Sequence, residues 1–343
     1  MTARPTLDRS ARSRAGLAAR IEPPASVDPR IHTTQARLRA LGSQVRSLRL
    51  LPRQPAASAL NGRHASRLRG RGLNFEELRG YLPGDDPRTI DWKVTARTGE
   101  PHVRVFTEER DRPALIVVDQ RMSMFFGTRH AMKSVTAAEC AALAAFAVRN
   151  QGDRVGGIVF GDQLVAEIRP QRTKRALDRF LTAIGAANAE LRADAPLVET
   201  PLPLNQPLSA VARIARRDHL IVLISDFDGI DDRTERLIGR IARHNDVILC
   251  PVTDPMAHAL PEGARLIISD GALQAELDTG EARIRRDLKT FLSGRLATIF
   301  GWQRRFGMPV LPLSAGEETM PQVRRLLGLG EARRSAHRVA PDE

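Results

Sequence analysis

The sequence predicts an α/β domain built on a mostly parallel β-sheet with helices on both faces. Continuous apolar runs at residues 113–119 (PALIVVD), 220–226 (LIVLISD) and 246–252 (DVILCPV) have the length of strands buried on both faces of a sheet. Segments of helical length lie between them, most clearly residues 132–150 (MKSVTAAECAALAAFAVRN). Apolar strands that alternate with helices are typical of a parallel sheet.

The elements of this domain follow one another over residues 113–328. After the first strand and helix, residues 153–170 predict two strands joined by a turn at Gly161 and Asp162. The remaining predicted elements are a helix at 174–184, a helix containing Leu208, Val211 and Ile214, the strand ending at Asp226, a helix at 234–244, the strand at 246–252, and a helical region at 282–327 with a short strand at 308–313.

The regions outside this domain differ from it in composition. Residues 1–30 lack apolar periodicity and predict a disordered basic arm. Residues 31–68 predict an amphipathic helix and a linker, because Leu38, Leu41, Val45 and Leu48 recur every three or four residues with arginines on the other face. Residues 69–112 form a separate segment dense in charged and turn residues, and residues 329–343 form a tail.

The net charge of +13 is concentrated near the N-terminus. Residues 1–72 contain 15 arginines and three acidic residues, a net charge of +12, so the other 271 residues sum to about +1. We therefore expect an acidic partner for residues 1–72, which could be nucleic acid, a membrane surface or a protein. The alternative is an arginine-rich tail without a fixed partner.

The sequence favours a soluble protein in a reducing, cytoplasmic setting. No apolar stretch reaches the roughly 18 residues that a membrane-spanning helix requires. Cys140 and Cys250, the two cysteines, fall in a predicted helix and a predicted strand, which favours neither a disulfide framework nor a thiolate metal site. The first twenty residues are as typical of an organellar transit peptide as of a disordered bacterial arm, and we favour the arm.

The segment at 69–97 (RGRGLNFEELRGYLPGDDPRTIDWKVTAR) predicts a turn followed by a short helix. Asp86 and Pro87 suit the start of that helix, which we expect to reach about Arg97. We expect Tyr81 and Trp92 to pack in the core or in a turn and not to contact a partner. Four charged residues are expected to form a salt-bridged clasp that holds the segment against the domain, namely Arg79, Asp85, Arg88 and Asp91.

Two predicted strands end in an aspartate at the edge of the sheet where sites form. Asp119 ends the first strand and Asp226 the fourth. Because the carboxyl ends of parallel strands meet at one edge, the two carboxylates could bind a hard cation such as magnesium. The alternative is that such an aspartate only caps the loop or helix that follows, as is often the case after a strand.

The order of these elements resembles a von Willebrand factor A domain. The similarity lies in VVDQRMSM after the first strand, GDRVGGIVFGD at the second and LIVLISDFDG at the fourth. The segment at 69–98 is similar to the signature of the bacterial domain-of-unknown-function 58 family, whose members accompany MoxR-type AAA+ ATPases. The resemblance covers about residues 70–312 and rests on Arg79, Tyr81, Pro83, Gly84, Asp85, Arg88, Ile90, Asp91, Trp92 and Arg97. Family members often carry two upstream membrane helices, in whose place this sequence has the basic arm.

The resemblance also implies a metal-ion-dependent adhesion site, which this sequence has altered. Asp119, Ser123 and Asp226 match the ligand pattern, whereas Arg121 replaces its first serine and Gln206 stands where a threonine would bind the metal. An arginine has a permanent charge and a planar fork that fits carboxylates, so we expect Arg121 to neutralise Asp119 and Asp226 in place of the metal. The alternatives are weak magnesium binding with Arg121 turned to solvent, and a salt bridge without a binding function.

These observations favour a non-enzymatic protein-interaction adaptor over an enzyme, with no cofactor. No Ser, His and Asp set, no helical pair of metal-binding histidines and no phosphate-binding glycine pattern is evident. The resemblance implies a MoxR-type AAA+ ATPase and a client protein as partners in assembly or remodelling of a complex. The alternatives are a nucleic-acid-binding protein that uses its arginine-rich arm, which has no aromatic residue before Phe75, and a metal-dependent hydrolase.

Overall fold

The computed structural model describes residues 28–45, 48, 73–108, 112–163, 165–194, 198, 201–257, 265–269, 274–278 and 282–328. The predicted arm at 1–30, except for its last three residues, lies outside the described residues. So do most of the linker within 31–68 and the whole tail at 329–343. The acidic partner expected for residues 1–72 therefore concerns a region of which only 28–45 and 48 are described.

The ten strands of the described residues form one large sheet and two hairpins. The strands are β1 (Leu73–Gly80), β2 (His102–Glu108), β3 (Pro113–Asp119), β4 (Arg154–Phe160), β5 (Val165–Gln171), β6 (Leu220–Ser225), β7 (Asp246–Thr253), β8 (Arg265–Ser269), β9 (Gln274–Asp278) and β10 (Leu313–Ser314). The large sheet has the order β10-β7-β6-β3-β4-β5, and only β5 in it is antiparallel to its neighbour. This confirms the predicted mostly parallel sheet.

Eight α-helices are described, and seven of them cover the two faces of the large sheet. They are α1 (Gln35–Ala40), α2 (Trp92–Thr98), α3 (Lys133–Asn150), α4 (Lys174–Ala189), α5 (Asn205–Ile214), α6 (Asp232–Ala242), α7 (Ala282–Phe306) and α8 (Thr319–Leu326). One face packs against α1, α3, α4 and α8, and the other against α5, α6 and α7. Among the described residues, no helix combines the length and the apolar character that crossing a bilayer requires.

The core explains the apolar runs of the sequence. Along β3, Ile116 and Val118 point into the first helical layer, whereas Leu115 and Val117 point into the second, so the whole strand is apolar. Helix α3 is buried around most of its circumference, because it lies between the sheet and three other helices. Helix α4 approaches β4 closely at Gly157, where a Cβ atom would lie 2.1 Å from the Phe180 ring.

The N-terminal strap, defined here as residues 28–45 and 48, belongs to the domain core. Leu38, Val45 and Leu48 are buried in the same cluster as α3 and α4, so the described part of the segment predicted at 31–68 packs into the core of the domain. The predicted helix is also shorter than its apolar spacing indicates, since α1 ends at Ala40 and a 3-10 turn follows over Leu41–Gln44. The leucine spacing therefore marked a buried stripe more reliably than it marked the length of a helix.

The signature module, defined here as residues 73–108, is built on a hairpin that the sequence did not predict. Strands β1 and β2 pair antiparallel in a sheet of their own. The single helix expected from Asp86 to Arg97 is divided, because Asp86 caps a 3-10 turn at Pro87–Thr89 and Asp91 caps α2. Between the two, Ile90 pairs with Val103 of β2, and this pairing interrupts the helix. The hairpin of β8 and β9 was likewise not predicted.

Candidate functional site

The loops that follow β3 and β6 diverge at one edge of the sheet. The two strands are parallel neighbours, with Val118 opposite Ile224. From β3 the chain continues through α3 to β4 on one side, whereas from β6 it continues through α6 to β7 on the other. This is a topological switch point, where open α/β sheets form their sites. The structure thus brings Asp119 and Asp226 together, as the sequence predicts.

Asp119 is fully buried and is paired with Arg121 through several hydrogen bonds. The Arg121 guanidinium donates from Nη2 to Oδ2 at 2.8 Å and from Nε to both carboxylate oxygens at 3.1 and 3.2 Å, and the Arg121 backbone N–H donates to Oδ1 at 3.0 Å. The Ser225 hydroxyl donates to Oδ2 at 2.6 Å. Arg121 itself is only 6% exposed and lies over the Phe160 ring. The arginine is therefore directed into the site and not into solvent.

Asp226 has a different cation as its main partner. The Lys133 ammonium, at the first position of α3, donates to Oδ2 at 2.7 Å, while Arg121 Nη2 lies 3.9 Å from Oδ1. The Ser123 hydroxyl donates to Oδ1 at 3.4 Å, and the Asp228 backbone N–H donates to the same oxygen at 3.0 Å. The two carboxylates of the site are thus matched by two cations.

Burial and neighbouring charges shift the pKa of each of these groups. Burial raises the pKa of Asp119, and the Arg121 guanidinium opposes that rise. Burial alone would raise the pKa of Asp226 as well, but Lys133 and then Arg121 bring it below the usual value. For Arg121, burial would lower the pKa, yet attraction to Asp119 raises it. The hydrogen bonds described for Asp119 all bring donors to it, as an ionised carboxylate requires.

The residues at this site do not fit a divalent metal ion. Arg121 and Lys133 already occupy the carboxylate oxygens that a magnesium ion would need. Two unit charges of the same sign 4 Å apart repel by about 4 kcal/mol at an effective dielectric of about 20, and a divalent ion doubles this. Among the described residues, no group of three or more His, Cys, Asp or Glu side chains has the arrangement of a metal site.

Gln206, the residue predicted to replace a metal-binding threonine, does not join the site. Its side chain is exposed near the start of α5, and no contact with Asp119 or Asp226 occurs within the described part of the chain. The preceding residue, Asn205, is buried and binds Asp231 and Thr234 at the start of α6. The expectation that Gln206 lies at the metal-site position is therefore wrong.

Four residues that complete the network were not predicted from the sequence. Lys133 and Ser225 bind the two carboxylates directly. Arg295 of α7 donates to the backbone carbonyl of Asp226 at 3.3 Å and forms an ion pair with Asp228. Asp228 follows Asp226 by two residues, a spacing that could have drawn attention to it, whereas Lys133 and Arg295 are distant in sequence and gave no such signal.

The signature module has its own ion pair, which only partly matches the predicted clasp. Arg79 binds Asp85 through two hydrogen bonds of 2.7 and 2.8 Å, and the Leu82 N–H donates to Asp85 at 2.9 Å. The Tyr81 hydroxyl donates to the Asp85 carbonyl at 3.3 Å. Gly84 closes this turn with a φ of 111°, a conformation that favours glycine.

The other two clasp residues play different parts. Asp91 caps α2 by accepting hydrogen bonds from the N–H groups of Lys93 and Val94. Arg88 is exposed and has no ion pair within the described residues. The hydrogen bonds described for residues 79–102 join these residues to one another and hold the turn and α2 together within the module.

The prediction that Trp92 packs in the core or in a turn is wrong. Its side chain is 67% exposed at the first position of α2. Leu82 is 60% exposed and Leu78 39% exposed in the same module, whereas Tyr81 is half-buried as predicted for a turn-packing residue. The module therefore presents large apolar side chains to solvent.

Comparison with known proteins places the chain in a family. The family model described as "Protein of unknown function DUF58" matches residues 77–294. The chain belongs to this family. Two uncharacterized mycobacterial proteins, Mb1516 of Mycobacterium bovis and Rv1480 of Mycobacterium tuberculosis, are each 30% identical to it over 293 residues, which cover 84% of this chain and 89% of theirs.

A solved structure is also similar, the conserved hypothetical protein BatB from Bacteroides thetaiotaomicron. The TM-score is 0.38 at 11% identity, over 63% of this chain and 95% of that one.

The DUF58 match contains most of the signature module together with the carboxylate site, while the N-terminal strap precedes it. The strap packs on the domain through residues that lie before the matched range.

Proposed function

We propose that this DUF58 protein is a non-enzymatic protein-interaction module that works with a MoxR-type AAA+ ATPase in assembling or remodelling another protein complex. The observation that carries the proposal is the exposure of three large apolar side chains of the signature module, those of Trp92, Leu82 and Leu78. Three large apolar side chains exposed on one short module are candidate contacts for a partner, and tryptophan is among the residue types enriched at binding hot spots. The ATPase as partner comes from the family resemblance.

Interactions within the module fix the backbone segments that carry these exposed side chains. The Arg79 and Asp85 pair, the left-handed Gly84 and the Asp91 cap of α2 define the loop that carries Leu82 and the helix that carries Trp92. A surface that is ordered before binding loses less conformational entropy on association. The arrangement therefore suits a preformed recognition element that a partner protein covers on binding.

The carboxylate site supports a non-enzymatic role. Its two acids are neutralised by Arg121 and Lys133, so neither is poised as a metal ligand or as a general base. The ion network instead ties the loops after β3 and β6 to each other and, through Arg295, to α7. We include a cytoplasmic location in the proposal, because Cys140 and Cys250 are buried free thiols.

The test is binding of the purified chain to the purified MoxR-type ATPase of the same organism, measured by calorimetry with and without ATP. Trp92→Ala should weaken binding at least tenfold, the scale of a hot-spot residue, and should leave the melting temperature nearly unchanged because the ring is exposed. Phe126→Ala is the matched control, since Phe126 is an exposed aromatic residue outside the module, and it should bind as wild type does. Equal binding by Trp92→Ala and wild type, or no binding in either nucleotide state, contradicts the proposal.

A further inference from the structure

The sheet ends in a strand whose outer edge is unpaired. Among the described residues, β5 pairs with β4 on one side and has no strand on the other. An edge strand directs the N–H and C=O groups of alternate residues away from the sheet, where another extended chain can pair with them. Pro170 lacks an N–H group, so the part of β5 before it is the part that can accept a further strand.

A groove runs beside this edge. It lies between β5, α4 and α1, and its volume is about 840 Å3. Ala166 and Ile168 of β5 lie on one side, and Ala183 and Ala186 of α4 lie on the other. Small and apolar residues leave room for a second backbone close to the strand.

The groove carries excess positive charge. Lys174, Arg175 and Arg179 line it, are exposed, and have no ion pair within the described part of the chain. The two acids of the lining already have partners. Asp178 binds Arg39, and Glu167 binds Arg213 of α5 through hydrogen bonds of 2.6 and 2.8 Å. The net charge available to a ligand is therefore positive.

Two of these cations, Lys174 and Arg175, do not stabilise the helix on which they lie. Lys174 and Arg175 occupy the first turn of α4, which has no acidic residue. The N-terminus of a helix carries partial positive charge, so basic residues in that turn weaken the helix. Both side chains line the groove, and their charges add to the partial positive charge of the helix terminus.

We propose that this groove binds an acidic peptide in extended conformation, which adds to the sheet beside β5 as a seventh strand. Backbone hydrogen bonds to the edge of β5 supply affinity, and the cations of α4 select for acidic side chains. A peptide is favoured over a nucleic acid because only a peptide backbone matches the donors and acceptors of a strand edge. The groove lining also lacks the aromatic side chains on which bases stack. The proposal does not depend on the ATPase partner, which we assign to the signature module.

The test uses a fluorescein-labelled ten-residue peptide that alternates glutamate with valine and threonine, titrated with the full chain in fluorescence anisotropy. Arg175→Glu with Arg179→Glu should weaken binding at least tenfold. The matched control is Arg236→Glu with Arg240→Glu, which makes the same charge change at the same helical spacing on α6, on the other face of the sheet, and should leave binding unchanged. Melting curves establish that both variants are folded.

A second peptide separates strand addition from charge attraction. N-methylation of alternate peptide bonds removes the backbone donors and keeps every carboxylate, so this peptide should bind at least tenfold more weakly than the parent. Binding of the parent should also slow amide hydrogen exchange in β5. The proposal is overturned if the methylated peptide binds as well as the parent, if a single-stranded oligonucleotide binds more tightly than the parent, or if no peptide binds.

Discussion

Arg121→Ala removes the guanidinium that neutralises a completely buried carboxylate. Asp119 loses three side-chain hydrogen-bond contacts and keeps the backbone N–H of residue 121 and the Ser225 hydroxyl. Removing one partner of a buried ion pair costs about 3–5 kcal/mol of unfolding free energy, because the remaining charge is left without compensation. A change of 1 kcal/mol shifts the melting temperature of a domain of this size by about 2–4 °C, which gives a decrease of about 6–20 °C.

The pH dependence identifies the cause of this loss. In the variant, burial holds the folded-state pKa of Asp119 above its unfolded value without Arg121 to oppose it. A carboxyl group with a raised folded pKa favours folding in its protonated form, and this contribution is lost as the pH rises from the unfolded pKa through the folded pKa. The difference between wild type and Arg121→Ala should therefore be larger at pH 7.5 than at pH 5.

The measurement is guanidinium chloride unfolding followed by circular dichroism at both pH values. The double variant Asp119→Asn with Arg121→Gln is the control, because it removes both charges, and it should be less destabilised than Arg121→Ala. A loss below about 1 kcal/mol for Arg121→Ala that is equal at the two pH values would refute the argument that Arg121 compensates a buried charge.

Three further results are expected. Leu38→Ala should lower the unfolding free energy by about 2–5 kcal/mol, because Leu38 is fully buried against the helical layer, and an unchanged denaturation midpoint would contradict the place of the N-terminal strap in the core. Calorimetry should detect no saturable magnesium binding by wild type at millimolar concentration, whereas the double variant Arg121→Ser with Lys133→Ala should bind magnesium. Tight magnesium binding by wild type that Asp119→Ala abolishes would instead indicate an ordinary metal site. An NMR titration should give Asp85 a pKa of about 2, lowered chiefly by Arg79. The contribution of the ionised Asp85 to stability is therefore present above the unfolded pKa and is lost as the pH falls towards 2. If Arg79→Ala leaves the pKa of Asp85 unchanged, the ion pair does not cause the shift.

The central part of the fold could be predicted because its signals are local. The apolar runs of β3, β6 and β7 reflect burial on both faces of a parallel sheet, and this pattern is visible without knowledge of the neighbours. The meeting of Asp119 and Asp226 follows from the rule that parallel strands end at one edge. Arg121 lies two residues after Asp119, so a contact with that carboxylate could be expected from their spacing.

Prediction was less successful where long-range packing decides the outcome. The signature module contains no long apolar or alternating pattern, so the pairing of β1 with β2 and the interruption of the helix at Ile90 could not be inferred from spacing. The apolar stripe of the strap identified buried residues correctly but not the end of α1. Leucines at helical spacing indicate that their side chains are buried on one side of the segment. A 3-10 turn can bury such side chains as well as a longer helix can.

The sequence by itself determined an α/β domain with a parallel sheet, two carboxylates at the sheet edge and an arginine beside the first of them. Only the tertiary structure decided which cation neutralises Asp226, because Lys133 reaches it through the path of the chain from β3 to α3. Likewise, only the tertiary structure placed Gln206 away from the site and left Trp92 exposed. Residue type sets the free energy gained by burying a side chain, but whether it is buried depends on which distant elements pack against it.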